Sequence, residues 1–348
     1  MALAHMVPEE AIPRLLASPA AERRRVSTHS PVAPLTLPPQ PPQPASNARI
    51  LGAAALIGAV AALAGFALWR TFSRPRVQQQ TPQAHQRAAS RLSGAAAILS
   101  FSVLADSAME HYRGAFQNAG MYVAPLTSAA LLASSAHAVF RPERLGLAGK
   151  SLCGFALAIG TAGFGFHIYN IAKREGGIDW LNLFYGAPIG APFALALAGL
   201  SGLAASRLLA QTGTGPALLG RPAGRVIAAG SAIALLGTAE EAALMHFRGA
   251  FQDPFMYAPV TIPVVAAAGL ASTLVGPRMI GTARRLLEVT FALGLAGVGF
   301  HLFGISRNMG GFRNLSQNLL NGPPLPAPPS FTGVALAGLA GLQLMDGA

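Results

Sequence analysis

Residues 106–123 read DSAMEHYRGAFQNAGMYV, and residues 241–258 read EAALMHFRGAFQDPFMYA. Further along, GTAGFGFHIYN at 160–170 is answered by GLAGVGFHLFG at 294–304. Two copies therefore share an H-[YF]-R-G-A-F-Q element and a G-F-H element, in the same order and at nearly the same separation. An internal repeat constrains architecture before any single residue does, because each copy is one folding unit that must pack like the other. It also selects His111, His167, His246 and His301 from the eight histidines of the chain.

The apolar stretches around these elements settle the solvent. The chain has 348 residues, 52% of them hydrophobic and 11% charged, where a soluble domain carries about 25% charged residues. Its apolar runs of about twenty residues are long enough to cross a hydrocarbon layer of roughly 30 Å as helices. The reading is an all-α integral membrane protein whose first partner is the lipid bilayer. The net charge of +12 does not point to nucleic acid, because the basic residues lie between apolar runs and not on one patch. The single cysteine, Cys153, lies inside an apolar run and excludes an intrachain disulfide.

Residues 1–49, with PPQPPQP at 38–44, bury too little apolar surface to offset ordering and are expected to be a disordered Pro-rich tail. Arg23–Arg25 lie too far from the first apolar run for a twin-arginine signal. Nine spans are expected, at 50–69, 92–112, 122–140, 150–172, 187–206, 226–247, 257–276, 285–305 and 330–346. The first lacks a small-x-small cleavage site and reads as a retained N-terminal anchor, joined by a cytoplasmic linker that ends at residue 91. The other eight divide into four-helix repeats at 92–208 and 226–346. An even number of spans per copy makes the repeats parallel, related by an axis along the membrane normal.

Charge orients them. The loops after the first, third, fifth and seventh spans hold fourteen basic residues, the alternate loops six. Positive loops stay in the cytoplasm. The expectation is a multi-pass protein of the cell inner membrane, N-terminus outside and C-terminus cytoplasmic. All four repeated histidines then lie near the outer leaflet.

Gly160, Gly163 and His167 are spaced i, i+3, i+7 on one helix face, as are Gly294, Gly297 and His301. A glycine stripe under a histidine removes volume, either for a planar ligand over Gly163 and Gly297 or for a neighbouring helix. His111 and His246 likewise stand above small residues. Two histidines per copy at matching depth give the layout of a bis-imidazole haem b site, pairing His111 with His167 and His246 with His301. No Cys-x-x-Cys-His occurs, so covalent haem attachment is excluded. Arg113 and Arg248 stand where they can reach propionates or cap a helix end. Asp106 and Glu241 both precede a histidine by five positions and are candidates for a proton relay, since ionisable groups inside spans are costly. Glu110 and Glu240 do not align. The Glu-x-x-His pairing of di-iron bundles is absent from both copies.

Met121 and Met256, at helix starts, read as packing residues and only secondarily as ligands. The segment after each Gly-Gly, at 176–177 and 310–311, differs between copies. IDWLNLFYG reads as a short interfacial helix, whereas Pro323, Pro324, Pro326, Pro328 and Pro329 are expected to keep the second segment irregular.

Three functions compete. The first is a b-type haem subunit passing electrons between an outer-face redox protein and quinone. The second is a proton-coupled transporter or channel for a small solute. The third is a scaffold or assembly subunit in a homo- or hetero-oligomer. No P-loop, zinc-protease or nucleophile-elbow motif argues for other chemistry.

Overall fold

The computed structural model describes residues 82–141, 145–211 and 215–346. The Pro-rich tail and the anchor at 50–69 lie outside the described residues. Four long helices come first: α1 (Pro82–Arg113), α2 (Val123–Phe140), α3 (Leu147–Ala172) and, after the short α4 (Trp180–Tyr185), α5 (Gly190–Ala210). The same order recurs in α6 (Ala223–Arg248), α7 (Ala258–Thr273), α8 (Ile280–Arg307), the short α9 (Leu315–Asn321) and α10 (Pro329–Asp346). Each of the eight spans expected beyond residue 91 coincides with one long helix.

Among the described residues, seven helices are long and apolar enough to cross a membrane. The chain is a polytopic helical membrane protein. The eighth long helix, α10, carries Thr332, Gln343 and Asp346 and is less apolar. It is buried along most of its length, against α1, α6 and α8, so its polar groups are covered by protein.

Within 82–210, α1 packs on α2, α2 on α3, α3 on α5 and α5 on α1. These four close a ring in which α1 and α3 face each other across the diagonal. Within 223–346 the ring is α6, α7, α8 and α10, with α6 opposite α8. The apolar windows of α1 and α6 are 50% buried, those of α3 and α8 only 17%. The former are inner helices, and the latter present most of their surface to lipid.

The first helix starts ten residues before the expected span boundary. Residues 82–91, expected to belong to the linker, are helical, and Ala88, Ala89 and Leu92 are fully buried against the second core cluster. Hydropathy underrates this turn because Gln83, Gln86, Arg87 and Arg91 ring it, yet nearly all are good helix formers. A small hairpin joins the two rings: Ala217–Leu218 pairs antiparallel with Arg221–Pro222. Leu219 and Gly220 both have positive φ, as a two-residue hairpin turn of this hand requires. The Gln211 amide brackets Ala217 with two bonds of 2.7 and 2.8 Å.

The two ends of the bundle differ in chemistry. At one end Arg91 donates to the Leu339 carbonyl, Arg225 to that of Leu274, and Arg284 pairs with Asp346. The other end carries the four repeated histidines and exposed aromatic rings such as Tyr112, Trp180, Phe255 and Tyr257. An aromatic rim opposite an arginine-rich rim suits a helical bundle between two water interfaces.

Candidate histidine sites at one end of the bundle

The RGAFQ element is a strained helix exit. After α1, Ala115 and Phe116 both take left-handed φ, 54° and 46°; after α6, Ala250 and Phe251 do the same at 57° and 46°. Such conformations cost non-glycine residues roughly 1–2 kcal/mol each. The amides of Ala115 and Phe116 donate to the carbonyls of Tyr112 and His111, and those of Ala250 and Phe251 to Phe247 and His246. Asn118 or Asp253 then caps the next helical turn, its carboxamide or carboxylate oxygen accepting from Gly120 at 2.8 Å or Phe255 at 2.9 Å. The turn lays Phe116 flat on Tyr122 (ring centroids 4.3 Å, 14° between planes) and Phe251 on Tyr257 (4.7 Å, 20°).

Three of the four histidines are tied by Nδ1 to a backbone carbonyl of another segment. His111 donates to Met121 at 2.5 Å, His167 to Pro188 at 2.5 Å and His301 to Pro324 at 2.7 Å. A carbonyl only accepts, so Nδ1 holds the proton and the neutral ring keeps its lone pair on Nε2. His246 departs from this. Its Nδ1 is buried without a partner of hydrogen-bond geometry, and the Ala242 carbonyl of its own helix interacts with it only outside that geometry. His111 and His167, on diagonal helices of one ring, are within electrostatic reach of each other, and so are His246 and His301 in the other ring.

The glycine stripes face elsewhere. A Cβ on Gly160 would stand 2.4 Å from Ala196 N and 2.7 Å from Pro192 O, and one on Gly163 would be 3.1 Å from the Pro192 ring. A Cβ on Gly294 would be 2.2 Å from Thr332 Oγ1, and one on Gly297 would be 2.7 Å from Pro328. Both stripes thus admit the first turn of the following helix, α5 or α10. Of the two expected uses of this surface, a planar ligand or a neighbouring helix, the structure shows the second: Gly163 and Gly297 are covered by Pro192 and Pro328.

Three of the four other charged candidates have partners. Arg113 pairs with Glu110 on its own helix. Arg248 lies over the Phe184 ring, 5.3 Å from its centroid, and reaches Met245 Sδ. Glu241 accepts from Gly190 N at 2.9 Å, closing the start of α5 in the other ring. Asp106 has no equivalent donor, since Pro326 occupies the position matching Gly190; the Pro326 carbonyl instead accepts from Ser102. Asp106 nonetheless feels both Glu110, one turn along its own helix, and Glu241 of the other ring, so the two acids aligned by the repeat lie within electrostatic reach across the boundary between rings. Met121 and Met256 pack their methyl groups against Gly114 and Gly249, as packing residues would.

Two residues overlooked in the sequence hold this end together. Asn182 Nδ2 donates to the carbonyls of Glu175 and Gly177, and Asn318 Nδ2 to those of Met309 and Gly311. Each locks a Gly-Gly turn in which both glycines have positive φ. Their signal was concealed by spacing: five residues separate Asn182 from Gly177, seven separate Asn318 from Gly311. The prolines do not keep the second segment irregular throughout, because α9 forms before them over Leu315–Asn321.

Among the described residues, no three His, Cys, Asp or Glu side chains gather as a metal-binding group. Comparison with protein-family models, with curated proteins and with solved structures finds no match.

Proposed function

We propose that the chain is a membrane redox subunit built from two parallel four-helix units, 92–208 and 226–346, each holding one haem b between diagonal helices. The observation that carries this reading is the placement of the histidines. In each ring two imidazoles come from opposite helices, at the same end and within electrostatic reach. Cofactor sites in helical bundles are built from side chains on facing helices. Histidines that ligate a metal commonly donate their other nitrogen to a carbonyl, which fixes ring and tautomer. His111, His167 and His301 meet that condition, and His246 meets the positional one.

The Nδ1 bonds of His111, His167 and His301 leave the Nε2 lone pair available, which supports axial ligation, while Pro192 and Pro328 cover the glycine faces on which a ring would lie. Arg113 and Arg248 remain at the correct end to meet propionates, Arg113 as half of an ion pair and Arg248 from the face of Phe184. Bound haem supplies one-electron transfer, and two per chain match the two electrons that a quinol gives up along with two protons. With arginine-rich loops in the cytoplasm, the histidine end faces outward in the cell inner membrane, towards an outer-face redox protein.

Purified protein is expected to show a Soret band and, on reduction, an alpha band. Each of His167→Ala and His301→Ala removes about half the haem, and the double variant removes the rest. Colourless protein after expression with ample haem, or unchanged spectra in both variants, refutes the reading. One observation favours proton-coupled transport instead: Asp106 and Glu241, from different units, lie within electrostatic reach of each other at the boundary between them, where parallel repeats would enclose a path. Proteoliposome uptake sensitive to Asp106→Asn, from colourless protein, selects that alternative.

A further inference from the structure

The two copies differ at one matched place. Aligning Gly186 with Gly322, each of which closes on the preceding Asn carbonyl, sets Trp180 against Ser316, Phe184 against Leu320 and Tyr185 against Asn321. In one place α4 folds its rings over the end of α6. Phe184 meets Phe247 edge-on at 5.6 Å and lies under Arg248, and Trp180 meets Phe247 at 5.9 Å. In the other, α9 brings only Leu320 and Asn321 to the end of α1, and a surface cavity of about 750 Å³, open on its outer side, lies among Tyr112, Arg113, Phe116, Tyr122, Leu320 and Asn321, with Tyr112 and Tyr122 largely exposed.

We propose that this cavity binds a quinone head group. The proposal deepens the redox reading, on which the choice of a quinone among flat apolar rings rests. Four features define the ligand. The open cavity has room for a single planar ring, with its outer side facing the surroundings of the bundle end. One wall is a flat aromatic pair, Phe116 stacked on Tyr122, against which a planar ring gains offset stacking. The matching place in the other copy is filled by aromatic rings of the chain itself, so the niche there accepts planar apolar groups beside an arginine. The polar groups around the cavity, the two tyrosine hydroxyls, the Arg113 guanidinium and the Asn321 amide, can all donate to a carbonyl oxygen.

Arg113 pairs with Glu110 through one nitrogen, and its remaining N–H groups can donate to a neutral carbonyl oxygen. The cavity also lies at the end of a membrane-crossing helix, where an isoprenoid tail can remain in lipid. Phe116, edge-on to His111 at 6.1 Å between centroids, stands between the cavity and the nearer imidazole.

The test uses the full-length protein in detergent and decylubiquinone as the probe, with partition into protein-free micelles subtracted. Calorimetric titration is expected to give saturable binding of one quinone per chain. Ser316→Trp with Leu320→Phe copies the filled side into the open one and weakens binding at least tenfold. Trp180→Ser with Phe184→Leu opens the second niche and raises the stoichiometry towards two per chain. Size-exclusion profiles and circular dichroism report whether each variant is folded, and either variant alone decides the matter if the other is not. No saturable binding to the wild-type protein overturns the proposal. So does undiminished binding to the filled variant, or displacement of the probe by short-chain phosphatidylglycerol but not by a second quinone. The visible spectrum of the same samples reports the haem separately. Colourless protein that binds quinone in this pattern keeps the site and refutes the haem. A haem spectrum with no quinone binding does the reverse.

Discussion

Replacing Gly160 by alanine separates a packing role of the glycine stripe from a ligand role. The new Cβ would lie 2.4 Å from Ala196 N, 2.7 Å from Pro192 O and 2.9 Å from Ala196 Cα, whereas ordinary contacts begin near 3.4 Å. All three neighbours are backbone atoms of α5, so no side chain can turn aside, and α3 must retreat by about 1 Å. Overpacking of this kind costs about 1–3 kcal/mol, and alanine returns about 1 kcal/mol of helix propensity. Because a backbone clash sits at the upper end of that range, the net loss is about 1–2 kcal/mol. Gly294→Ala is expected to lose more, because its Cβ would displace the Thr332 hydroxyl from the Phe291 carbonyl it binds at 3.0 Å. Gly165 and Gly299, one turn or so further along, have no atom within 4 Å of a built Cβ. Their alanine variants should gain about 0.5–1 kcal/mol from propensity alone. The assay is unfolding of the detergent-purified protein by titration with SDS, followed by far-ultraviolet circular dichroism. Equal stability of Gly160→Ala and wild type, or destabilisation by Gly165→Ala, refutes the assignment of the stripe to helix approach.

Two further perturbations read the histidine end. Ala250→Gly relieves a left-handed residue at roughly 1–2 kcal/mol but adds unfolded-state freedom of about 0.4–1 kcal/mol; the net expected gain in the same titration is about 0.5–1 kcal/mol, and a loss would contradict the strained-turn assignment. Asn318→Ala removes both bonds that hold the second Gly-Gly turn, at a buried site, and should cost about 1–3 kcal/mol and speed proteolysis after Arg307 or Arg313; unchanged cleavage would show that the turn holds without it.

Most of the helical plan is written in the sequence because hydropathy and flanking charge report depth in a membrane. The expected span at 150–172 and the observed Leu147–Ala172 differ by one turn. The same signal fails where depth is not the issue. Residues 82–91 are helical because they pack under α10 and α5, not because they are apolar. Spacing gave the face shared by Gly163 and His167 but could not say which neighbour that face meets. The answer, Pro192, depends on tertiary packing between helices that sequence alone does not pair. The diagonal placement of His111 and His167 was illegible for the same reason: order along the chain gives depth and direction, while ring order follows from which side chains interdigitate. Asn182 and Asn318 do not stand out in the sequence because two extra residues in the second copy shift the register of the repeat between them and the Gly-Gly turns.

The points where the copies disagree are as informative as those where they agree. Both preserve the same strained turn, and its strain is repaid by one result, a phenylalanine laid flat on a tyrosine. A glycine-based turn would reverse the chain without cost but would supply no ring. The agreement therefore concerns an aromatic wall at each histidine site. The disagreements concern what stands opposite that wall. Phe184 and Trp180 close one niche where Leu320 and Ser316 leave the other open. Glu241 caps α5 through Gly190, while Pro326 denies Asp106 the matching donor. Equal frames with unequal linings are what a chain needs if two sites of like geometry are to do different work, one sealed by its own side chains and one accessible from the bilayer. If the open cavity takes a quinone as proposed, exchange with the bilayer is expected at the first copy, and the Trp180 and Phe184 rings occupy the matching place in the second.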